Sequence, residues 1–401
     1  MGHVFTAVAL VSLVAGCATV RPTTVAPPPV AASAVPSLPA TYRQVAFSAL
    51  PGWNDDRLQD VWPAFQVGCR ALMKPASATR AIFESACADA NALDPRDAAA
   101  IRAFFETHFS PYEVAAAGGS TVGMVTGYYE PLLAGGRAPT ARFVVPLYSA
   151  PDDLLTVDLT VLYPELKDKR LRGRVDGRKV VPYWTRAEIE GGKAPVADKV
   201  LFYVEDPVEA FFLEIQGSGR VTLADGSVVR VGYADQNGHP YRSIGRVLVD
   251  RGEITLDRAS MQGIREWGRQ HPAELPALLD ENPSYVFFRE VPPPIPGSLE
   301  AKIDGPFGTL GVPLLAGRAI AVDTRSIPLG APVYLATTYP LSTRPLERLT
   351  MAQDTGGAIR GAVRADFFWG FGDDAAREAG RMKQDGRMWL LWPKGAGPPS
   401  S

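Results

Sequence analysis

Residues 352–370 read AQDTGGAIRGAVRADFFWG. Two aspartates, Asp354 and Asp366, bracket a run of small and glycine residues, and the aromatics Phe367, Phe368, Trp369 and Phe371 follow. Three readings compete for such a stretch. An aspartic protease needs two aspartates that share a proton. Asp354-Thr355-Gly356 has that signature, with Asp323-Thr324-Arg325 as a partner. The partner carries Arg where the protease needs Gly, Gln353 stands where an apolar residue is usual, and the motifs lie too close together for two lobes. A phosphate loop needs G-x-x-x-x-G-K-[ST], and GGAIRGAVR (356–364) lacks the Lys-Ser/Thr pair. The third option is acid catalysis on a sugar, in which a protonated carboxyl meets the bridging oxygen. A second carboxylate is dispensable there if the substrate carries its own nucleophile. Trp369 and its neighbours offer stacking surface beside Asp366. Such a surface also disfavours the charged form, as a general acid requires. Taken alone, the stretch favours a plainer reading, with the aromatics as β-core and Asp366 capping a helix that starts near Gly372.

The rest of the chain has an ordinary globular composition. Its 401 residues are 46% apolar and 21% charged, a length that suits two domains at roughly 100–200 residues each. The 41 basic and 43 acidic residues leave a formal charge of −2, which gives no footprint for nucleic acid. Residues 4–14 form an apolar run too short to span a bilayer, and small residues lead on to Cys17. This is the pattern of an export signal. LVAGC (13–17) also resembles a bacterial lipobox, although only His3 precedes the run as a basic residue. Residues 1–17 are thus expected to be a lipoprotein signal with Cys17 as the lipidated residue; a cleaved soluble export signal is the competing reading. Residues 18–42 are rich in Pro, Ala, Ser and Thr and are expected to be a semi-extended tether. For Cys69 and Cys87 two readings stand: a disulfide, as export to an oxidising compartment permits, or two buried thiols. With four histidines and no Cys/His cluster at zinc spacing, no metal or other cofactor is expected.

Residues 55–110 place apolar positions at helical spacing and predict a helical lead-in. After VTGYYEPLL the texture shifts to short runs: RFVVPLY, KVLFYVE, AFFLEIQGSGRVTL and SVVRVGYA, punctuated by Asp225-Gly226 and Asn237-Gly238. This part predicts mainly strands. ASMQGIREWGRQHP and ELPALLDENP predict helices. Short strands return in RAIAVDT, APVYLAT and RLTMAQDT, with one helix, DDAAREAGRMKQ, before MWLLWP.

Seven segments, in order, carry a resemblance: VTGYYEP (125–131), RLRGRVDGRKVVPYWTRAEIE (170–190), FFLEIQGSGRV (211–221), VGYADQNGHPYRSIGR (231–246), ENPSYVFF (281–288), GRAIAVDTRSIPLGAPVYL (317–335) and the opening stretch. Together they resemble the membrane-bound lytic murein transglycosylase A family over roughly residues 53–393. The resemblance implies a mainly β fold with α: a double-psi β-barrel domain from residues 43–131 and 286–397, with N-terminal helices, and an inserted β-domain at 132–285. A groove between the two would hold peptidoglycan glycan strands. The implied reaction is a cut between N-acetylmuramic acid and N-acetylglucosamine in which the muramyl C6 hydroxyl attacks its own C1, so no water is consumed and a 1,6-anhydro end remains.

Carried over residue by residue, the resemblance puts the catalytic acid/base on Asp366 and a supporting acid on Asp354. Gly356 and Gly357 would let backbone approach the sugar. Thr126, Gly127, Tyr128 and Tyr129 match a groove-facing strand, and Gln216, Gly217, Ser218 and Gly219 the strip across from it; a tight bulge of small residues is the plainer reading for the two glycines. Asn237 and Tyr241 serve either as turn chemistry or as sugar contacts, and Trp369 as stacking surface. Glu130 and Glu214 lie near matched motifs without the loop context of Asp366. The basic run 169–179 fits a solvated face better than a contact to peptide-stem carboxylates. The expected location is the periplasmic face of an outer membrane, through a lipid anchor. An ordinary two-carboxylate glycosidase and a non-catalytic wall-binding barrel are the rival functions.

Overall fold

The computed structural model describes residues 1–2, 40–166 and 171–397. Cys17, most of the expected tether, and residues 169 and 170 of the basic run lie outside the described residues. The account below concerns the compact unit Leu38–Ser401. Among the described residues no helix is long and apolar enough to cross a membrane.

Three helices come first: Trp62–Leu72, Arg80–Ala90 and Ala98–His108. Asp97 caps the third by accepting from Ala100 N at 2.9 Å. Their apolar faces bring together Trp62, Phe65, Phe104 and Phe105 with Phe109 of the following strand, the rings packing at 5.0–6.2 Å, stacked for Trp62 on Phe65 and otherwise edge to face or tilted. Burying each such ring contributes about 1.5–3 kcal/mol. A disulfide joins Cys69 to Cys87 across the first two helices. The strand Thr41–Gln44 pairs antiparallel with Phe109–Ala115. The last two residues of the expected tether, Thr41 and Tyr42, are therefore paired strand, opposite Ala115 and Val114.

The core lies under an eight-stranded sheet. Its central order is Lys383–Pro393, Pro332–Thr338, Pro345–Asp354, Ala319–Val322, Arg364–Phe371 and Gly123–Glu130. Gly123–Glu130 also pairs with Lys383–Pro393, so the hydrogen-bonded order returns to its first strand. Two of the pairings are parallel, Ala319–Val322 with Pro345–Asp354 and Arg364–Phe371 with Gly123–Glu130.

A second, six-stranded sheet has the order Val286–Val291, Val228–Gln236, Ser218–Thr222, Leu132–Gly136, Val200–Val204 and Val145–Tyr148. Val286–Val291 thus lies past the boundary expected at 285, because its inward face joins the second core through Val286 and Phe288. A small third sheet joins Leu155–Thr156, Arg172–Asp176 and Lys179–Pro182.

One expected strand is a helix. Within AFFLEIQGSGRVTL, Pro207–Gln216 is helical and only Ser218–Thr222 is a strand. Asp206 accepts from the N–H groups of Val208 and Glu209, Pro207 starts the first turn, and Gly217 closes the helix at φ 76°. A left-handed closing residue of this kind favours glycine.

Arg220 ties the two large sheets together. Its Nε donates to Glu130 Oε2 at 2.8 Å and its Nη2 to Asp304 Oδ1 at 2.9 Å. The guanidinium also lies 3.8 Å from the centre of the Phe371 ring. Glu130 is buried and its Oε1 has no hydrogen-bond partner, so Arg220 carries the compensation for that charge.

Candidate active site

Strand pairing, rather than sequence proximity, brings the two aspartates together. Ala321 is the register partner of Asp354 on one side and of Asp366 on the other. Two strand spacings put their Cα atoms about 10 Å apart. The register slips between Ile320 and Ala321, so Gln353 is the extra residue of a bulge. Bulges re-aim side chains. Here Gln353 turns inward, its Nε2 donating to Ala64 O at 2.7 Å, and Asp354 turns the other way.

Asp354 is held by donors on both oxygens. Thr309 N and Thr309 Oγ1 each donate to Oδ1 at 2.9 Å, and Tyr128 Oη donates to Oδ2 at 3.1 Å. Burial pushes its carboxyl above the usual range, and these donors offset part of that push. Burial, then the nearby carboxylates, raise the Tyr128 phenol well above its ordinary value, so it stays a donor.

Asp366 is half-buried and less encumbered. Thr126, its register partner, donates from Oγ1 to Asp366 Oδ1 at 2.5 Å. Burial raises the Asp366 carboxyl; the Thr126 hydrogen bond and the Arg364 charge work against burial, and the Asp354 charge works with it. A carboxyl in such surroundings keeps its proton to higher pH than a solvated one.

The aromatics divide by strand alternation. Phe368 shares the Asp366 face and packs on Tyr128 with ring centres 5.1 Å apart. Phe367 and Trp369 point to the other face, where Trp369 lies 5.0 Å from Phe367 and donates to Met382 Sδ at 3.3 Å. The expected stacking surface beside Asp366 is therefore Phe368 and Tyr128. Trp369 instead fills the space over Gly127, where an added Cβ would come within 2.6 Å of its Nε1.

Gln216 reaches the same strand from the second sheet's side, its Oε1 accepting from Tyr129 N at 3.2 Å. Gly217 sits at the helix end, and Ser218 and Gly219 begin the next strand. A Cβ on Gly219 would lie 2.3 Å from Leu213 Cδ1, whereas one on Gly357 would meet open space. Gly356 follows Asp354 and packs against Ile359. Asn237 is not brought to the carboxylates as a free group: it is buried, donates to Trp184 O and Pro283 O, and accepts from His239 N and Tyr285 N. Its side chain is thereby a turn fastener. Tyr241 is exposed.

The remaining carboxylates are occupied. Glu214 pairs with buried Arg186 at 2.7 Å and accepts from Val286 N. Asp323, the partner that the rejected protease reading would have needed, binds Arg325 at both oxygens and accepts from Gly361 N at 2.8 Å. Burial favours its neutral form, but these donors outweigh burial and hold it below the usual range. Sequence reasoning missed Thr309, Arg364 and Arg220. Nothing in the text around Thr309 marks it, but Arg364 lies two residues before Asp366, and strand periodicity alone puts it on the same face.

The chain is β-rich with some helices, and its second sheet and acid-bearing strands each match a described domain. The MltA specific insert domain matches residues 124–289 and the 3D domain matches residues 318–392. The membrane-bound lytic murein transglycosylase A of Escherichia coli (strain K12) is 36% identical over 274 residues, covering 66% of this chain and 64% of that relative. The matched part thus spans just under two thirds of that relative. The crystal structure of MltA from Neisseria gonorrhoeae, monoclinic form, has a TM-score of 0.79 at 40% identity, covering 90% of this chain and 95% of that one. Escherichia coli MltA with bound chitohexaose has a TM-score of 0.61 at 26% identity, covering 90% of this chain and 93% of that one. The chain belongs to the membrane-bound lytic murein transglycosylase A family.

Proposed function

We propose that this chain is a peptidoglycan lytic transglycosylase that cuts the β-1,4 bond between N-acetylmuramic acid and N-acetylglucosamine and leaves 1,6-anhydro ends. The observation that carries the reading is the asymmetry of the acid pair. Burial raises both carboxyls, but Asp354 has both oxygens committed to Thr309 and Tyr128, whereas Asp366 has one hydrogen-bonded oxygen. Asp366 protonates the bridging oxygen as the C1–O bond breaks. As a carboxylate it then takes the proton from the muramyl C6 hydroxyl as that oxygen bonds to C1, which restores the acid. One carboxyl suffices because the nucleophile is tethered to the reacting centre.

The substrate follows from family membership and from the bound chitohexaose of the Escherichia coli relative. Phe368 and Tyr128 supply the apolar surface beside the acid, and Gln216 through Gly219 the opposite wall of a groove. The returning order of the central strands supports a double-psi barrel built from residues 43–131 and the chain after the insertion. The pairing of Val286–Val291 supports moving the end of the inserted domain from 285 to about 291. Cys17 carries the anchor to the periplasmic face of the outer membrane in this reading. Mass spectrometry of products from purified sacculi tests it: anhydro ends are expected, and reducing ends alone would make the chain a hydrolase.

A further inference from the structure

Arg364 is buried on the strand that carries Asp366, yet among the described residues its hydrogen bonds go to no carboxylate. Nη1 donates to the main-chain oxygens of Met124 and Ala365, and Nη2 donates to Thr126 Oγ1 at 2.9 Å. Burying a guanidinium is costly unless it is compensated. The charge it feels is that of Asp366, one hydroxyl further on.

The geometry of the three groups has a consequence for the proton. A guanidinium is donor-only, so Arg364 can meet Thr126 only at an oxygen lone pair. The hydroxyl has a single hydrogen, and Asp366 Oδ1, at 2.5 Å, receives it. If the acid's own proton sat on Oδ1, the hydroxyl would receive two donors and its own hydrogen would lose that acceptor. Resting on the catalytic assignment of Asp366 above, we infer that Arg364 is a positioning residue that sets the Thr126 hydroxyl as a donor and so keeps the transferable proton of Asp366 on Oδ2.

The other titratable groups around Asp366 do not supply this. On Gly123–Glu130 it is Tyr128, a donor committed to Asp354. On Pro345–Asp354 it is Asp354, which accepts only, and on Ala319–Val322 the register position is Ala321. Lys383 on Lys383–Pro393 stands opposite Thr126 but is exposed.

Removing Arg364 has two expected effects. The proton divides between the two oxygens, so kcat falls while KM holds. The cation near the carboxylate is also lost, so Asp366 keeps its proton longer and the alkaline limb of the pH–rate profile moves up.

The experiment is a double-mutant cycle on sacculus digestion with Arg364→Met, Thr126→Val and the pair, alongside Thr126→Ser, Asp366→Asn and melting curves. Arg364→Met and Thr126→Val should each lower kcat about tenfold, as a fraction of the roughly 10²–10⁴ available from proton transfer. The double variant should be no worse than the poorer single one, and Thr126→Ser should restore wild-type behaviour. Multiplying losses in the double variant, or a folded Arg364→Met with wild-type kcat and pH profile, would overturn the inference. If Arg364→Met does not fold, the Thr126 pair decides: Thr126→Val matching Thr126→Ser also overturns it. Turnover by Asp366→Asn would instead sink the catalytic assignment, which separates the two failures.

Discussion

Asp366→Asn separates the site's chemistry from its architecture. Asn keeps the side-chain volume and an oxygen that can accept the Thr126 hydrogen bond, now 2.5 Å long; only the transferable proton is lost. General acid–base help is worth roughly 10²–10⁴-fold, or about 2.7–5.4 kcal/mol of barrier. No neighbouring carboxyl stands ready to replace it, since Asp354 is held by Thr309 and Tyr128, Glu130 by Arg220 and Glu214 by Arg186. The loss should therefore fall at the upper end of that range. Stability should move the other way. Burial raises the folded-state pKa of Asp366 above its unfolded value. Its contribution to stability is then present below the unfolded pKa and lost as pH rises through the folded one. Above the folded-state pKa the wild type carries a desolvated charge that Asn removes, so there the variant should melt no lower than wild type. Its advantage should shrink as the buffer is taken down through the carboxylate range. Anhydromuropeptide release and melting curves over a pH series from mildly acidic to alkaline check both halves. Turnover within about tenfold of wild type by the folded variant would refute the catalytic argument, and a melting temperature that falls further below wild type as pH rises would refute the electrostatic one.

Asp354→Asn should keep partial activity, because its acceptors hold Thr309 and Tyr128 in place rather than move protons; leaving one of these donors unmet costs about 1–3 kcal/mol, to be read by urea unfolding beside the digestion assay. Arg220→Met should destabilise by roughly 3–5 kcal/mol, because Glu130 is then left as an uncompensated buried charge; adding Glu130→Gln should recover part of the loss, and no recovery would refute that account. Opening the Cys69–Cys87 bridge with Cys69→Ala and Cys87→Ala should cost about 2–4 kcal/mol, with wild type under reductant shifting similarly in a thermal melt. Cys17→Ala should move the protein from the membrane fraction to the soluble fraction with sacculus digestion intact, and continued membrane retention would refute the lipobox reading.

Most elements were legible because they follow local periodicity. The three lead-in helices, Met261–Gln270 and the strands around Ala319–Val322 and Pro332–Thr338 lie where apolar spacing predicted them. Pro207–Gln216 was misread because Phe211, Phe212 and Leu213 look like a strand run. Its start and stop signals, Asp206-Pro207 and Gly217, were nonetheless in the text, and they outrank aromatic content in a segment of that length. Trp369 was misassigned for a related reason. Once the aromatic run is a strand, alternate rings must leave the Asp366 face. Asn237 left two readings open, and only the four backbone groups around it distinguish fastener from contact.

The acid pair belongs to a level that local pattern does not encode. Nothing in the twelve-residue separation of Asp354 and Asp366 says that both stand beside Ala321, since that depends on one parallel and one antiparallel pairing and on the bulge at Gln353. The loop between them is fastened by Asp323, which accepts from Gly361 N while Arg325 neutralises it. The Asp-Thr-Arg motif that first looked like half of a protease thus has a structural explanation for its departure from that pattern. Arg325 stands where a protease needs Gly because this aspartate must stay ionised and hold a loop rather than share a proton. The same sequence feature that excluded one chemistry therefore helps build the other. Asp323 fixes the loop end, Gln353 turns inward while Asp354 meets Thr309 and Tyr128, and Asp366 is left with an oxygen to spare, as the proposed acid requires.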